Sequence, residues 1–143
     1  MVVTGSCHCR NISFTLTDEP GAENMPARAC TCSFCAKHGA VWTTLSSASL
    51  RVSVKERARL SIYSFATSTA QFHICAECGV VPVVTSNIEG RLYAVVNSKT
   101  FENFDVSQLQ HAAANFDGES EHQRLARRKR NWIADIEISE GSV

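Results

Sequence analysis

The chain has 143 residues, of which 44% are hydrophobic and 20% charged, and its formal net charge at pH 7 is zero. We expect one globular domain spanning residues 1–143, because this length supplies one hydrophobic core but not two. Because the net charge is zero, it gives no reason to expect binding to nucleic acid or to an anionic membrane. No apolar run approaches the roughly 20 residues of a membrane span. No signal peptide is visible, so a cytoplasmic location is expected.

The first two thirds of the chain are predicted to form short β-strands. Ile12, Phe14 and Leu16 alternate with polar residues, which is typical of a half-buried strand. Residues 18–26 contain two prolines and one glycine and are predicted to form a loop. Residues rich in β-forming types then recur in six segments, which are 41–45, 50–54, 60–65, 72–74, 80–85 and 92–96.

The C-terminal part of the chain changes in character. Residues 106–114 have a helical pattern, with Val106, Leu109 and Ala113 near one face, and residues 116–118 end it. A strongly polar segment follows, and Trp132 to Ile138 is predicted to be a closing strand. The elements together predict a mainly β fold with short helices near the C-terminus.

A run of basic residues lies in the polar segment, formed by Arg124, Arg127, Arg128, Lys129 and Arg130. Such a run is usually a solvated face, and this is the favoured interpretation. The functional alternative is recognition of phosphate or of a substrate that carries a carboxylate. Nucleic acid binding is not favoured, because no aromatic side chains interleave with the charges.

Three of the seven cysteines lie within six residues in the spacing C-x-C-x-x-C, namely Cys30, Cys32 and Cys35. A bent C-x-C and a tight C-x-x-C turn can direct all three sulfurs toward one ion, and zinc prefers thiolate ligands. Three protein ligands leave a tetrahedral ion with an open position, which is the arrangement of catalytic zinc. These three cysteines are therefore the candidate catalytic residues.

The other four cysteines form two close pairs, Cys7 with Cys9 and Cys75 with Cys78. In a cytoplasmic protein such pairs are more often metal-binding or catalytic than disulfide-bonded, and an odd total fits a disulfide framework badly. Four thiolates from two distant segments would build a closed zinc site. We predict one structural Zn²⁺ and a second Zn²⁺ that is catalytic or loosely held.

The order and spacing of all seven cysteines resemble the glutathione-dependent formaldehyde-activating enzyme family, which includes the centromere protein V-like proteins. The likeness covers roughly the first hundred residues, and Gly5, Ser33, Lys37 and Gly79 also stand at positions that the family pattern fills. It implies stacked antiparallel sheets pinned by zinc, the Mss4-like β-tent. Arg10 departs from the pattern, since a glycine commonly follows the second cysteine.

The resemblance also implies a reaction and a ligand set. The reaction joins formaldehyde to the thiol of glutathione and gives S-hydroxymethylglutathione. This addition is formally the reverse of a carbon–sulfur lyase reaction. The implied partner is a small-molecule thiol such as glutathione. The implied ligands of the structural zinc are Cys7, Cys9, Cys75 and Cys78, and those of the second zinc are Cys30, Cys32 and Cys35.

Several alternatives stay open from the residues alone. The central cysteines could form a second closed site, with His38 as the nearest fourth ligand, or a redox-active dithiol. Lys37 is a candidate for binding an anionic substrate, and an ordinary exposed lysine is the other interpretation. The competing function is a non-catalytic, zinc-stabilised binding module.

Overall fold

The structure, a computed structural model, describes residues 1–18 and 25–141. The described strands are β1 (Val2–Ser6), β2 (Ile12–Thr17), β3 (Met25–Cys30), β4 (Trp42–Thr43), β5 (Ser49–Val54), β6 (Leu60–Tyr63), β7 (Gln71–Cys75), β8 (Val83–Ile88), β9 (Arg91–Asn97), β10 (Leu109–Ala114) and β11 (Asp135–Glu140). The helices are α1 (Ser33–His38) and α2 (Glu121–Asn131), with short 3-10 helices at Arg57–Arg59, Ser98–Thr100 and Val106–Gln108. The predicted mainly β fold with a few short helices is confirmed.

The strands form two sheets. One has four strands in the order β1-β2-β5-β11, and the other has seven in the order β10-β3-β4-β9-β8-β7-β6. Most neighbours are antiparallel, as predicted, but β10 pairs with β3 and β11 pairs with β5 in parallel. Both parallel strands lie at a sheet edge and come from the C-terminal part of the chain, which therefore extends both sheets.

The main core lies between the two sheets. Ile12 and Leu16 point inward from β2, while Val83 and Val96 point inward from β8 and β9, and all four are fully buried. The inward residues of β2 are the alternate apolar residues of its sequence, because successive side chains of a strand point to opposite faces. The half-buried strand predicted here is confirmed.

The seven-stranded sheet has a second core on its other face. Val84, Tyr93 and Val95 pack there with Trp42 and Trp132. Strands β8 and β9 are thus buried on both faces, which explains their almost continuous apolar sequences. The second core also includes Cys35 and is the floor of the candidate site.

The predicted helix at 106–114 is wrong over most of its length, because residues 109–114 form β10. An alanine-rich segment is compatible with either structure, and here its backbone pairs residue by residue with β3, ending at Ala114 opposite Cys30. Tertiary pairing has overridden the local preference. The main helix of this part is α2 instead, and its start carries a capping box in which Ser120 and Gln123 bond each other's backbone N–H groups.

The loop predicted at 18–26 lies mostly outside the described residues, since 19–24 are not described and Met25 already begins β3. The short helix α1 was not predicted. Within the described part of the chain, no helix has both the length and the apolar character that crossing a membrane requires.

Candidate active site and candidate metal ligands

The four paired cysteines come together at one end of the molecule. Cys7 and Cys9 lie in the turn between β1 and β2, whereas Cys75 ends β7 and Cys78 lies in the turn before β8. Their sulfurs all lie within 4.8 Å of one another. Because one pair belongs to each sheet, this four-thiol cluster joins the two sheets.

The donor set and the spacing of the four-thiol cluster fit zinc. Zinc–sulfur bonds of about 2.3 Å in a tetrahedron place the sulfurs about 3.8 Å apart. The Cys7 and Cys9 sulfurs are 3.8 Å apart, and those of Cys9 and Cys75 are 3.4 Å apart. The backbone N–H of Ile12 also donates to the Cys7 sulfur at 3.3 Å. The cluster can therefore hold one tetrahedral ion.

The turns that carry these thiols use left-handed backbone. Gly79 has φ of +79°, a conformation that glycine adopts without steric cost. Arg10 has φ of +68°, which explains why the family pattern commonly has glycine at this position. The Arg10 guanidinium also pairs with Glu102 at 2.6 Å.

The central thiols form a second group, the three-thiol cluster of Cys30, Cys32 and Cys35. Cys30 ends β3, Cys32 is the N-cap of α1, and Cys35 lies in α1. Their sulfurs also lie within 4.8 Å of one another. The Cys35 backbone N–H donates to the Cys32 sulfur at 3.4 Å, and the indole N–H of Trp42 donates to the Cys35 sulfur at 3.3 Å. Two of the three sulfurs are thus held in place by N–H donors.

The three-thiol cluster opens onto a cavity of about 320 Å³, which all three cysteines line. Among the described residues, no fourth Cys, His, Asp or Glu ligand atom joins the cluster. His38 lies exposed on α1, with its ring 4.5 Å from that of Phe34. The cluster therefore has three protein donors and a side that faces the cavity.

Charge within the three-thiol cluster is uneven. A hydrogen bond from Cys35 lowers the pKa of Cys30 to about 5, and Arg127 adds a smaller attraction. The same bond, together with burial, raises the pKa of Cys35 well above its ordinary value. Of these two hydrogen-bonded thiols, Cys30 is therefore the one that loses its proton more readily.

The cavity has an apolar part and a charged part. Its apolar lining comes from Trp42, Phe65, Phe72, Val84, Val95 and Trp132. Its charged lining is mostly basic and consists of Arg28 from β3 and Arg124, Arg127 and Arg128 from α2, with Asp117 as the acidic residue. The cavity thus places an excess of positive charge beside the thiols.

The three arginines of α2 were missed as site residues, because the basic run was interpreted mainly as a solvated face. Lys129 and Arg130 do lie exposed, but Arg124, Arg127 and Arg128 line the cavity. Their spacing of three and four residues places them on one face of a helix. That spacing is the sequence signal that could have separated them from their neighbours.

A carboxylate fixes two of the arginines. Glu119 accepts from Arg127 at 2.9 and 3.1 Å and from Arg124 at 3.4 Å. The hydrogen bond from Arg127 is the largest cause that lowers the Glu119 pKa. The Arg127 guanidinium also lies 3.6 Å from the centre of the Phe116 ring, so the 116–119 segment is bound to α2.

Lys37, the candidate for anion binding, lies exposed on α1 and is not among the residues that line the cavity. The structure brings together all seven cysteines in the two groups expected from their spacing. It also places Arg124, Arg127 and Arg128 of α2 along the cavity, where they form what we call the arginine wall.

Comparison with known proteins supplies a family. Residues 2–117 match the family model described as glutathione-dependent formaldehyde-activating enzyme. A crystal structure of a Rhodobacter sphaeroides protein from a structural genomics programme is 30% identical, covers 77% of this chain and 97% of that chain, and superposes with a TM-score of 0.55. No curated protein matches the chain. Helix α2 lies beyond the matched residues.

Proposed function

Because the chain belongs to the glutathione-dependent formaldehyde-activating enzyme family, we propose that it is a zinc-dependent enzyme of the carbon–sulfur lyase type. Its substrates would be a small thiol, such as glutathione, and formaldehyde. The observation that carries this proposal is the three-thiol cluster, which has no fourth protein donor within the described residues and faces a cavity. We also expect the protein to work in the cytoplasm, where thiols are kept reduced.

The two cysteine groups suit two different tasks. The four-thiol cluster would hold a structural zinc, and Cys30, Cys32 and Cys35 would hold the working zinc. A zinc at the second position supplies a place where a substrate sulfur is held as its thiolate at neutral pH. The N–H donors of Trp42 and Cys35 keep two of the cluster's sulfurs in position for this task.

The proposed reaction is an addition that needs no oxidant or reductant. A bond forms between the thiol sulfur and the carbon of formaldehyde, while the carbon–oxygen double bond becomes a single bond. The proton lost by the thiol ends on the former carbonyl oxygen, and the product is a hydroxymethyl thioether. Cleavage of that product would follow the same steps in reverse.

The walls of the cavity contribute binding and exclusion of water. Phe65, Phe72 and Trp132 provide an apolar surface for the carbon skeleton of the thiol. The arginines attract a thiol that carries negative charge and raise its local concentration. The apolar wall also displaces water from the reacting sulfur, which strengthens its interactions with charged neighbours.

Proton exchange spectroscopy tests the proposal directly. Glutathione and formaldehyde form their adduct spontaneously, so exchange of the hydroxymethyl protons is measured with and without the protein. We expect the zinc-loaded protein to accelerate this exchange, and Ser53→Ala, which lies on the exposed face of β5, to behave as wild type. An exchange rate equal to the spontaneous one would remove formaldehyde activation and favour the non-catalytic binding module.

A further inference from the structure

We propose that Arg128 binds a carboxylate of the thiol substrate, so that the α2 wall of the cavity selects thiols that carry a carboxylate. The identity of the bound molecule as a thiol rests on the function proposed above. The carboxylate subsite itself rests on the environment of Arg128 and can be tested without the reaction.

Arg128 is buried in the cavity wall, and no carboxylate among the described residues forms an ion pair with it. Its side chain lines the cavity, although the residue is only 8% exposed. Nη1 donates to the hydroxyls of Thr69 at 2.9 Å and Ser86 at 3.2 Å. Nε is buried and has no acceptor among the described residues, and no described carboxylate pairs with this guanidinium. The guanidinium also lies 4.9 Å from the Trp132 ring.

An unpaired buried charge is costly, since the lost hydration is not replaced by an opposite charge. Burial, and then the nearby Arg127 and Arg124, lower the pKa of Arg128 to about 10. The group therefore still carries its proton at neutral pH. Two neutral hydroxyls do not balance this charge, and an anion that enters the cavity would balance it.

The neighbouring arginines narrow the identity of the anion. Arg124 and Arg127 already share Glu119, whereas Arg128 and Arg28 line the cavity without an ion pair in the described part of the chain. A single planar guanidinium matches the two oxygens of a carboxylate in a bidentate pair. A phosphate dianion is usually bound by several unpaired basic groups, and here Arg124 and Arg127 are already bound to one shared carboxylate.

Arg128 lies in the C-terminal segment, outside the part of the chain that the family model matches. The family match ends at residue 117, and Arg128 lies in α2, beyond that point. The thiol cluster and the arginine wall therefore come from different parts of the sequence. We infer that the matched part supplies the reacting centre, whereas α2 supplies the selection of the anion.

Tryptophan fluorescence gives a readout that does not depend on catalysis. The two tryptophans of the chain, Trp42 and Trp132, both line the cavity. The probe is S-methylglutathione, which keeps both carboxylates but has no free thiol, and the comparison probe is its diethyl ester. We expect the diacid to bind the zinc-loaded protein at least about ten-fold more tightly than the diester. This difference in affinity corresponds to the free energy of one charge-assisted hydrogen-bonded pair.

Variants assign this preference to Arg128. Arg128→Met keeps the apolar stem and removes the charge, and we expect it to lower the affinity for the diacid to that for the diester. The matched control is Arg130→Met on the same helix, because Arg130 is exposed and does not line this cavity; its affinities should equal those of wild type. If circular dichroism shows that Arg128→Met does not fold, Arg128→Lys replaces it, with a several-fold loss expected because the planar fork is gone.

Three results would overturn the proposal. These are equal binding of diacid and diester by wild type, a variant of Arg128 that keeps the full preference, and displacement of the probe by inorganic phosphate at lower concentration than by acetate. S-methylglutathione has no free thiol and cannot form the S-hydroxymethyl adduct. A protein that fails to accelerate adduct exchange but binds the diacid through Arg128 would therefore lose the proposed function and keep the subsite.

Discussion

At the scale of single residues, Arg10 combines a strained backbone conformation with a solvent-exposed ion pair. Its φ of +68° is unfavourable for a residue with a side chain, by roughly 1 kcal/mol. Its guanidinium contacts Glu102 at 2.6 Å, but both side chains are largely in solvent, so the pair contributes little. The strain and the ion pair can be separated by two substitutions.

We expect Arg10→Gly to be more stable than Arg10→Ala by about 1 kcal/mol, because both lose the ion pair and glycine alone relieves the strain. The measurement is the free energy of unfolding from urea titration. Equal stabilities would show that the turn tolerates left-handed backbone without cost.

The two cysteine groups should respond differently to the loss of one thiol. Cys75 is fully buried and its sulfur lies in the cluster that joins the two sheets, so we expect Cys75→Ser to abolish cooperative unfolding. Cys30 is half-buried beside the cavity, so we expect Cys30→Ser to keep the fold while losing one zinc and the acceleration of adduct exchange.

Thermal unfolding followed by circular dichroism, with zinc measured per chain, checks both variants. A Cys30→Ser protein that no longer folds would assign a structural role to the three-thiol cluster. A Cys75→Ser protein that melts like wild type would remove the structural role of the four-thiol cluster.

At the scale of elements, α2 is held against the 116–119 segment by Glu119. Hydrogen bonds from Arg127 and Arg124 lower the pKa of this carboxyl below its ordinary value of 4.5. A lowered pKa stabilises the folded state above the unfolded pKa, and this stabilisation is lost as the pH falls through the folded pKa. The attachment of α2 should therefore weaken in acid.

We expect Glu119→Gln to lower the free energy of unfolding by about 1 kcal/mol at pH 7, with the difference from wild type shrinking toward zero well below pH 4.5. Urea titrations across this range measure the difference. Glu121→Gln is the control, since Glu121 is an exposed residue of the same helix. A difference for Glu119 that is the same at all pH values would indicate packing rather than charge.

At the scale of the whole molecule, the four-thiol cluster connects the two sheets at one end of their shared core. One zinc bound there would fix contacts between Cys7 and Cys75 that are far apart in sequence. We propose that the chain is a single domain in which both sheets unfold together.

Zinc removal tests this arrangement. We expect about two zinc ions per chain, with the ion of the three-thiol cluster lost first to a chelator. Loss of the first ion should return adduct exchange to its spontaneous rate with little change in melting temperature, whereas loss of the second should lower that temperature sharply. A chain whose melting is unaffected by complete removal would contradict a structural zinc.

Several parts of the fold and site followed from the sequence because they depend on local pattern. The strands β2 and β5 were predicted from the alternation of apolar and polar residues, because this alternation indicates which face of a strand is buried. The two thiol groups were predicted from spacing, since a C-x-C or C-x-x-C turn brings its own sulfurs together whatever surrounds it.

Other features were decided only by the tertiary structure. The segment 109–114 is compatible with a helix, and its pairing with β3, more than seventy residues away, makes it a strand. The parallel register of β11 with β5 likewise depends on partners that no local pattern specifies. The three arginines of α2 that line the cavity have the same charge as Lys129 and Arg130, and only the packing of α2 buries Arg128 beside the thiols. Local sequence pattern determines which secondary structure a segment can form. Long-range contacts determine which face of that segment is buried and which residues it packs against.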